Sequence, residues 1–328
     1  MGSPEDPYGA VDRLRALLAR RLAPQEAAAE LRAAVALHPR RGRAFQAQLL
    51  AQAFREAAEL AVQCGWTGKV VLSGGKVMVD QDGALLSADR EDRYFRSSGP
   101  FAGRTMLEGL EAFGIEPRTV LDVGANIGDL SIYFARRLPE ARVIAFEPAP
   151  ENLRDFAANL ALQDPPLTNL ELVAEAVSDR TGTIAFTVGA GDLNTTMIEG
   201  NLARLRSAPG VTVAEVPTDT LENLCRRLGV DQIDLLKIDT EGGEPLLAAS
   251  IRAMAGRISS AYVEISTYNS LGAYAELVAA FDQAGLVMLD KTHRLLPDPI
   301  TWLAERLSAT TAINVWFVQR ERLERAAG

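Results

Sequence analysis

The chain has 328 residues, 48% hydrophobic and 23% charged, with a net charge of -9. That mix folds as one large domain or two smaller ones without disulfide staples, and the acidic surplus argues against a nucleic-acid partner. Two cysteines, Cys64 and Cys225, lack the close spacing of a zinc or redox pair. No run of ~20 apolar residues could span a membrane and the start does not read as a secretion signal, so a cytoplasmic protein is expected.

Residues 1–66 read as an N-terminal helical region, with apolar residues at helical spacing in Val11, Leu14, Leu17, Leu18 and Leu22. A break at His38 to Arg43 carries three arginines and reads as a solvated loop. The apolar stripe of these helices suits a homodimer interface or a cover over a ligand. Residues 67–117 read as a hairpin and linker region. Lys69 to Val79 alternates around Ser73-Gly74-Gly75 as a β-hairpin, residues 80–100 look irregular, and Arg104 to Phe113 suggests a helix ended by Gly114.

Residues 118–321 alternate strand and helix. Strands are expected at Thr119–Gly124, Arg142–Glu147, Leu170–Val177, Thr183–Val188, Val211–Val216, Ile233–Ile238, Ala261–Ile265, Val287–Leu289 and Ala312–Gln319. Helices are expected at Gly128–Leu138, Glu151–Leu162, Thr218–Leu228, Glu244–Met254 and Leu271–Ala284. Repeated β-α units predict an α/β fold with a mostly parallel sheet covered on both faces. The last two strands, with no evident helix between them, suggest an antiparallel edge hairpin. Residues 189–210 form a polar insertion.

The first of these strands ends in Asp122-Val-Gly124-Ala-Asn126-Ile-Gly128. Gly124 allows a tight turn and Gly128 a close helix approach, which places a ligand at the strand tips. Asp122 can accept from a ligand's amino group. Glu147, before Pro148, lies 23 residues after Gly124, near the offset at which an acid meets both ribose hydroxyls of a nucleoside. Asn126 stands where a dinucleotide fingerprint has its extra glycine, which disfavours a pyrophosphate ligand and a dehydrogenase. At the third strand tip, Glu175 is a candidate acceptor for the adenine amino group, and Ala176 offers backbone groups.

Three blocks together, Val120-Leu-Asp-Val-Gly-Ala-Asn-Ile-Gly128, Ala145-Phe-Glu-Pro148 and Leu235-Leu-Lys-Ile-Asp-Thr-Glu-Gly242, resemble the FkbM family of methyltransferases over about residues 118–290. The family's third block usually reads K-I-D-V-E-G; here Thr240 replaces the valine. The resemblance implies a Rossmann-like class I methyltransferase fold with a seven-stranded, mostly parallel sheet. It also implies S-adenosylmethionine as donor and O-methylation of a sugar, glycan or natural-product hydroxyl. Asn194, Thr195 and Thr196 resemble the family's amide- and hydroxyl-rich segment near the site and, with Glu241 and Tyr268, are candidates to bind the acceptor.

A hydroxyl must lose its proton as it attacks, to a general base or with help from a metal. Asp239, which is also a candidate to contact the donor, Glu264 and His293 are the candidate catalytic groups. Asp239 and Glu264 are also candidate ligands for Mg²⁺. Lys237 shares a strand face with Asp239 and reads as a salt-bridge partner. Rival readings are methylation of an amide or amine nitrogen, and a non-catalytic nucleoside-binding module.

Overall fold

The structure, a computed structural model, describes residues 70–73, 76–81, 84–87, 99–163, 165–188 and 212–326. The N-terminal helical region, the arginine loop, Cys64 and the segment holding Asn194, Thr195 and Thr196 lie outside these. The chain divides into two compact units, one of Met1–Phe101 with Ala158–Pro166 and one of Ala102–Ala157 with Leu167–Gly328.

In the first unit, β1 (Val70–Ser73), β2 (Lys76–Gln81) and β3 (Ala84–Ser87) form an antiparallel sheet. Ser73 pairs with Lys76 in the hairpin that the sequence predicts over Lys69 to Val79. The third strand lies in a stretch whose sequence reads as irregular, because four residues give too little alternation to register.

The second unit is built on seven strands: β4 (Thr119–Val123), β5 (Arg142–Phe146), β6 (Leu170–Val173), β10 (Leu235–Ile238), β11 (Ser260–Ser266), β12 (Leu286–Leu289) and β13 (Ala312–Gln319). Their order is β12-β13-β11-β10-β4-β5-β6, all neighbours parallel except those of β13. This bears out the mostly parallel sheet with an antiparallel pair at one edge. A helix does join that pair: α7 (Pro299–Leu307), capped by Asp298, whose Oδ1 accepts from Thr301 N at 3.2 Å.

Side chains alternate along each strand. Leu121, Leu236 and Val263 enter one core, with Phe281 of α6 (Leu271–Gln283) stacked on Phe317 at 3.9 Å between centroids. Val120, Leu235, Tyr262 and Trp316 enter the other, under α1 (Gly99–Ala112) and α2 (Asp129–Arg137). Met106, Leu110 and Phe113 are buried there, so residues ahead of 118 contribute to this core. Between β5 and β6 the chain passes through α3 (Pro150–Ala161).

The strand expected over Leu170–Val177 is two strands. β6 ends at Val173, and β7 (Ala176–Ser178) leaves for a separate sheet of order β7-β9-β8, with β8 at Gly182–Val188 and β9 at Thr212–Thr220. β9 runs to Thr220, whose hydroxyl accepts from Asn223 N and caps α4 (Leu221–Leu228), so the helix begins three residues later than the sequence suggests. After β10, a single 3-10 turn at Glu244–Leu247 precedes α5 (Ala248–Ala253), and α8 (Arg320–Ala326) ends the described chain.

Candidate functional site at the strand tips

In chain order the strands of the main sheet from β6 inward read third, second, first, fourth and fifth. The order therefore reverses between β4 and β10. Open α/β sheets bind ligands at such a switch point, outside the carboxyl ends of the strands. Asp122, Gly124, Glu147, Lys237 and Asp239 all lie there.

The β4 turn is fixed by close backbone approach. Gly124 has φ of 80°, and a Cβ on it would lie 1.8 Å from the Asp239 carbonyl oxygen. Gly128, with φ of 81°, lies against the Phe156 ring, which a Cβ would meet at 2.1 Å. Between them Asn126 is exposed and left-handed, with φ of 51°. Glu241 and His293 are also left-handed, with φ of 54° and 66°. All three non-glycine left-handed residues among those described are candidate site residues, and such strain gathers where surrounding structure enforces it.

Glu147 is 2% exposed. One carboxylate oxygen accepts from Ala149 N at 2.8 Å and Asn152 Nδ2 at 3.2 Å; the other accepts from Asn126 N at 2.8 Å. Burial pushes its carboxyl up to about 7 against these hydrogen bonds. A carboxylate has about four acceptor positions, so one remains, on Oε2. The sequence expectation has this carboxylate accept from two ribose hydroxyls.

Asp122 is fully buried. Its Oδ2 accepts from Ser131 Oγ at 2.5 Å, and its Oδ1 lies 3.1 Å from Lys237 Nζ. With no exposed surface it cannot meet a ligand's amino group, as the sequence suggests; it anchors Lys237 instead. Lys237 also donates to the Gly124 carbonyl at 2.9 Å and lies 3.6 Å from Asp239 Oδ2. Asp122 and Asp239 hold the ammonium charged against its burial.

Beside this clamp, Asp239, Glu241 and Glu264 each offer a carboxylate oxygen, and the three lie within 4.8 Å of one another. All three residues are half-buried. Burial, then Asp239 and Glu241, push Glu264 up to about 8. Glu244, buried and overlooked in the sequence, organises the loop beneath them. Its Oε1 accepts from Thr240 N at 2.8 Å, Thr240 Oγ1 at 2.9 Å and Gly242 N at 3.0 Å. Asn269 adds a bond from Nδ2 to the Gly242 carbonyl at 2.9 Å, while neighbouring Tyr268 is half-buried. The available signal is a threonine followed four residues later by an acid, close to a capping box.

Two candidates fall elsewhere. Glu175 is paired with Arg227 of α4 at 2.6 Å, at the crossing from β6 to β7, away from the carboxylates of the switch point. His293 packs edge-on to Phe113 at 4.9 Å and to Trp316 at 6.1 Å, with its Nε2 buried against Gly109. It is not among the carboxylates, because the hairpin after β12 folds it back under α1. Ala176 is buried in β7, its carbonyl accepting from Thr218 Oγ1 at 3.1 Å, and Pro148 is half-buried beside Glu147.

A doubly wound sheet with an antiparallel strand inserted near one edge, and acids at the tips of its first, second and fourth strands, defines the class of S-adenosylmethionine-dependent methyltransferases. Residues 122–269 match the family described as Methyltransferase FkbM domain. Methyltransferase sdnD of Sordaria araneosa is 26% identical over 216 residues, 59% of this chain and 80% of that protein. The 2-O-methyltransferase NoeI of Sinorhizobium fredii (strain NBRC 101917 / NGR234) is 28% identical over 160 residues, 45% of this chain and 63% of that protein. The crystal structure of Methyltransferase FkbM from Methylobacillus flagellatus KT overlays with a TM-score of 0.39 at 13% identity, covering 61% of this chain and 43% of that one.

Proposed function

We propose that this chain transfers a methyl group from S-adenosylmethionine to a hydroxyl of a sugar, glycan or natural-product small molecule. The observation that carries the reading is the carboxylate trio Asp239, Glu241 and Glu264, set beside a glycine turn at the switch point. The name of the relative NoeI, a 2-O-methyltransferase, supports oxygen over nitrogen as the atom methylated.

The residues present fit a nucleoside donor. Glu147 has one acceptor position left, Asn126 is exposed at the turn, and the Asp239 side chain is 35% exposed at the neighbouring tip. Glu147 would take one ribose hydroxyl, and Asp239 would face the cationic end. The donor, when bound, supplies an electrophilic methyl carbon whose bond to sulfur breaks as the bond to the acceptor oxygen forms, the electron pair passing to sulfur. Glu264 takes the acceptor's proton. A base near working pH is effective, and burial, then the neighbouring anions, give Glu264 that character. Tyr268 and Glu241 flank the acceptor side. A cytoplasmic setting belongs to the same reading.

The trio also suits Mg²⁺, which takes oxygen ligands; there Asp239, Glu241 and Glu264 would hold the ion and orient the acceptor oxygen. Incubation with labelled donor and a panel of sugars and hydroxylated natural products tests the main reading by mass shift. Glu264→Gln is expected to lower turnover by about 100-fold or more with donor affinity retained. Wild-type turnover should rise with pH toward a plateau above about 8, as Glu264 loses its proton. Loss of activity in EDTA, restored by Mg²⁺, would select the metal version.

A further inference from the structure

We infer that Lys237 sets the donor site's preference between a cationic sulfonium and a neutral thioether; this rests on the donor reading given above. The Lys237 side chain reaches from β10 across to the β4 strand and its turn. Its ammonium has three hydrogens, and three oxygens converge on it: the Gly124 carbonyl at 2.9 Å, Asp122 Oδ1 at 3.1 Å and Asp239 Oδ2 at 3.6 Å.

The first two partners are rigid. Gly124 belongs to a turn that has no room for a Cβ, and Asp122 is fully buried with its other oxygen bonded to Ser131. Asp239 is the loose partner, at the longest distance and with a partly exposed side chain. The local charge is therefore one cation against two anions, with Glu241 and Glu264 beyond Asp239 on the acceptor side, Glu147 at the next strand tip and Asp129 at the start of α2. Lys237 neutralises one unit of that negative field and leaves the Asp122–Lys237–Asp239 group with a single net negative charge.

A product that has lost its methyl group has also lost its positive charge. A strongly negative site would retain the cationic donor; a neutral site would retain substrate and product alike. By halving the charge of the Asp122–Asp239 pair, Lys237 fixes how far the site favours donor over spent product. It is a positioning residue, acting on the bound molecule through Asp239 and the Gly124 turn.

Two substitutions move this balance in opposite directions. Lys237→Met removes the cation and should raise the ratio of S-adenosylmethionine to S-adenosylhomocysteine affinity. Asp122→Asn removes an anion while keeping an oxygen for Ser131 or Lys237, and should lower the ratio. A unit charge this close shifts such a ratio on the order of tenfold at an effective interior dielectric. Isothermal calorimetry with the two compounds as probes measures it directly. A merely structural lysine predicts that both variants weaken both compounds by a common factor, leaving the ratio unchanged, and that result overturns the inference. Lys237→Met leaves Asp122 buried without its cation, so if it does not fold, the fall in ratio in Asp122→Asn decides alone. If the wild-type protein takes up neither probe, the donor reading itself has failed.

Discussion

At the scale of single residues, Glu147 shows how burial and ligand chemistry meet. Its last acceptor position on Oε2 is the one a proton fills when the carboxyl is neutral, and the one a ribose hydroxyl needs. Both donate, so they compete. Donor affinity is therefore expected to rise with pH through about 7, the value to which burial raises this carboxyl, and to level off above it. Calorimetry in buffers of different ionisation enthalpy should detect proton release on binding near pH 6.5. In Glu147→Gln the release should vanish and affinity should fall about tenfold or more, as expected for a lost hydrogen bond to a charged group. Unchanged affinity would remove Glu147 from the donor site.

At the scale of elements, the β4 turn and the β10 tip are one packed unit, and Gly124 is where they touch. Alanine there places a Cβ 1.8 Å from the Asp239 carbonyl at a φ of 80°. Gly229, which ends α4 at a φ of 64°, has nothing within 4 Å of an added Cβ. Gly229→Ala should cost only the left-handed penalty of about 1–2 kcal/mol. Gly124→Ala adds an unavoidable backbone clash and should cost well over about 3 kcal/mol, in the range of severe core substitutions, with loss of donor binding even where the fold survives. Paired urea melts would show the contrast; equal costs would mean that the turn moves away freely.

The same elements show what a linear sequence discloses. The tips of β4, β5 and β10 are legible because each apolar run carries an acid within three residues of a glycine or proline: Asp122 ahead of Gly124, Glu147 before Pro148, Asp239 ahead of Gly242. Which acids reach a ligand is not legible. Asp122 is consumed by Lys237, a partner that only the strand order brings beside it. The break between β6 and β7 is hidden because Leu170 to Ser178 holds no glycine or proline to mark it, while the chain changes sheets at Ala174 and Glu175. His293 reads as a site residue by its place after β12, but the Leu289–Leu295 pairing turns that hairpin toward the aromatic cluster of Phe113 and Trp316.

At the scale of the whole molecule, the two hydrophobic cores carry the sheet, and the buried carboxyls at its tips oppose them at neutral pH. Glu147 and Glu264 are raised to about 7 and about 8, and Glu244 is raised as well, each chiefly by burial. A carboxyl raised in the folded state keeps its proton there after the unfolded chain has released it. Its contribution is fully favourable below the ordinary glutamate value of about 4.5 and is lost as pH climbs through the folded value. For Glu147 that loss is about 3 kcal/mol between pH 4.5 and pH 7. Lys237, raised by Asp122 and Asp239, supplies stability that persists below its ordinary value, so it does not bend the curve in this range. Asp219 and Asp290 are lowered by hydrogen bonds and lose their small, solvent-screened contributions only as pH falls below about 4. The melting temperature is therefore expected to peak near pH 5 and to fall by several degrees toward pH 8. Glu147→Gln, which cannot ionise, should flatten that fall. Saturating S-adenosylhomocysteine should flatten it too, because a ribose hydroxyl on Oε2 stabilises the ionised carboxylate. Scanning calorimetry from pH 4.5 to 8.5 would test all three, and a melting temperature that climbs steadily to pH 8 would show that these carboxyls are ionised in the folded protein without any ligand.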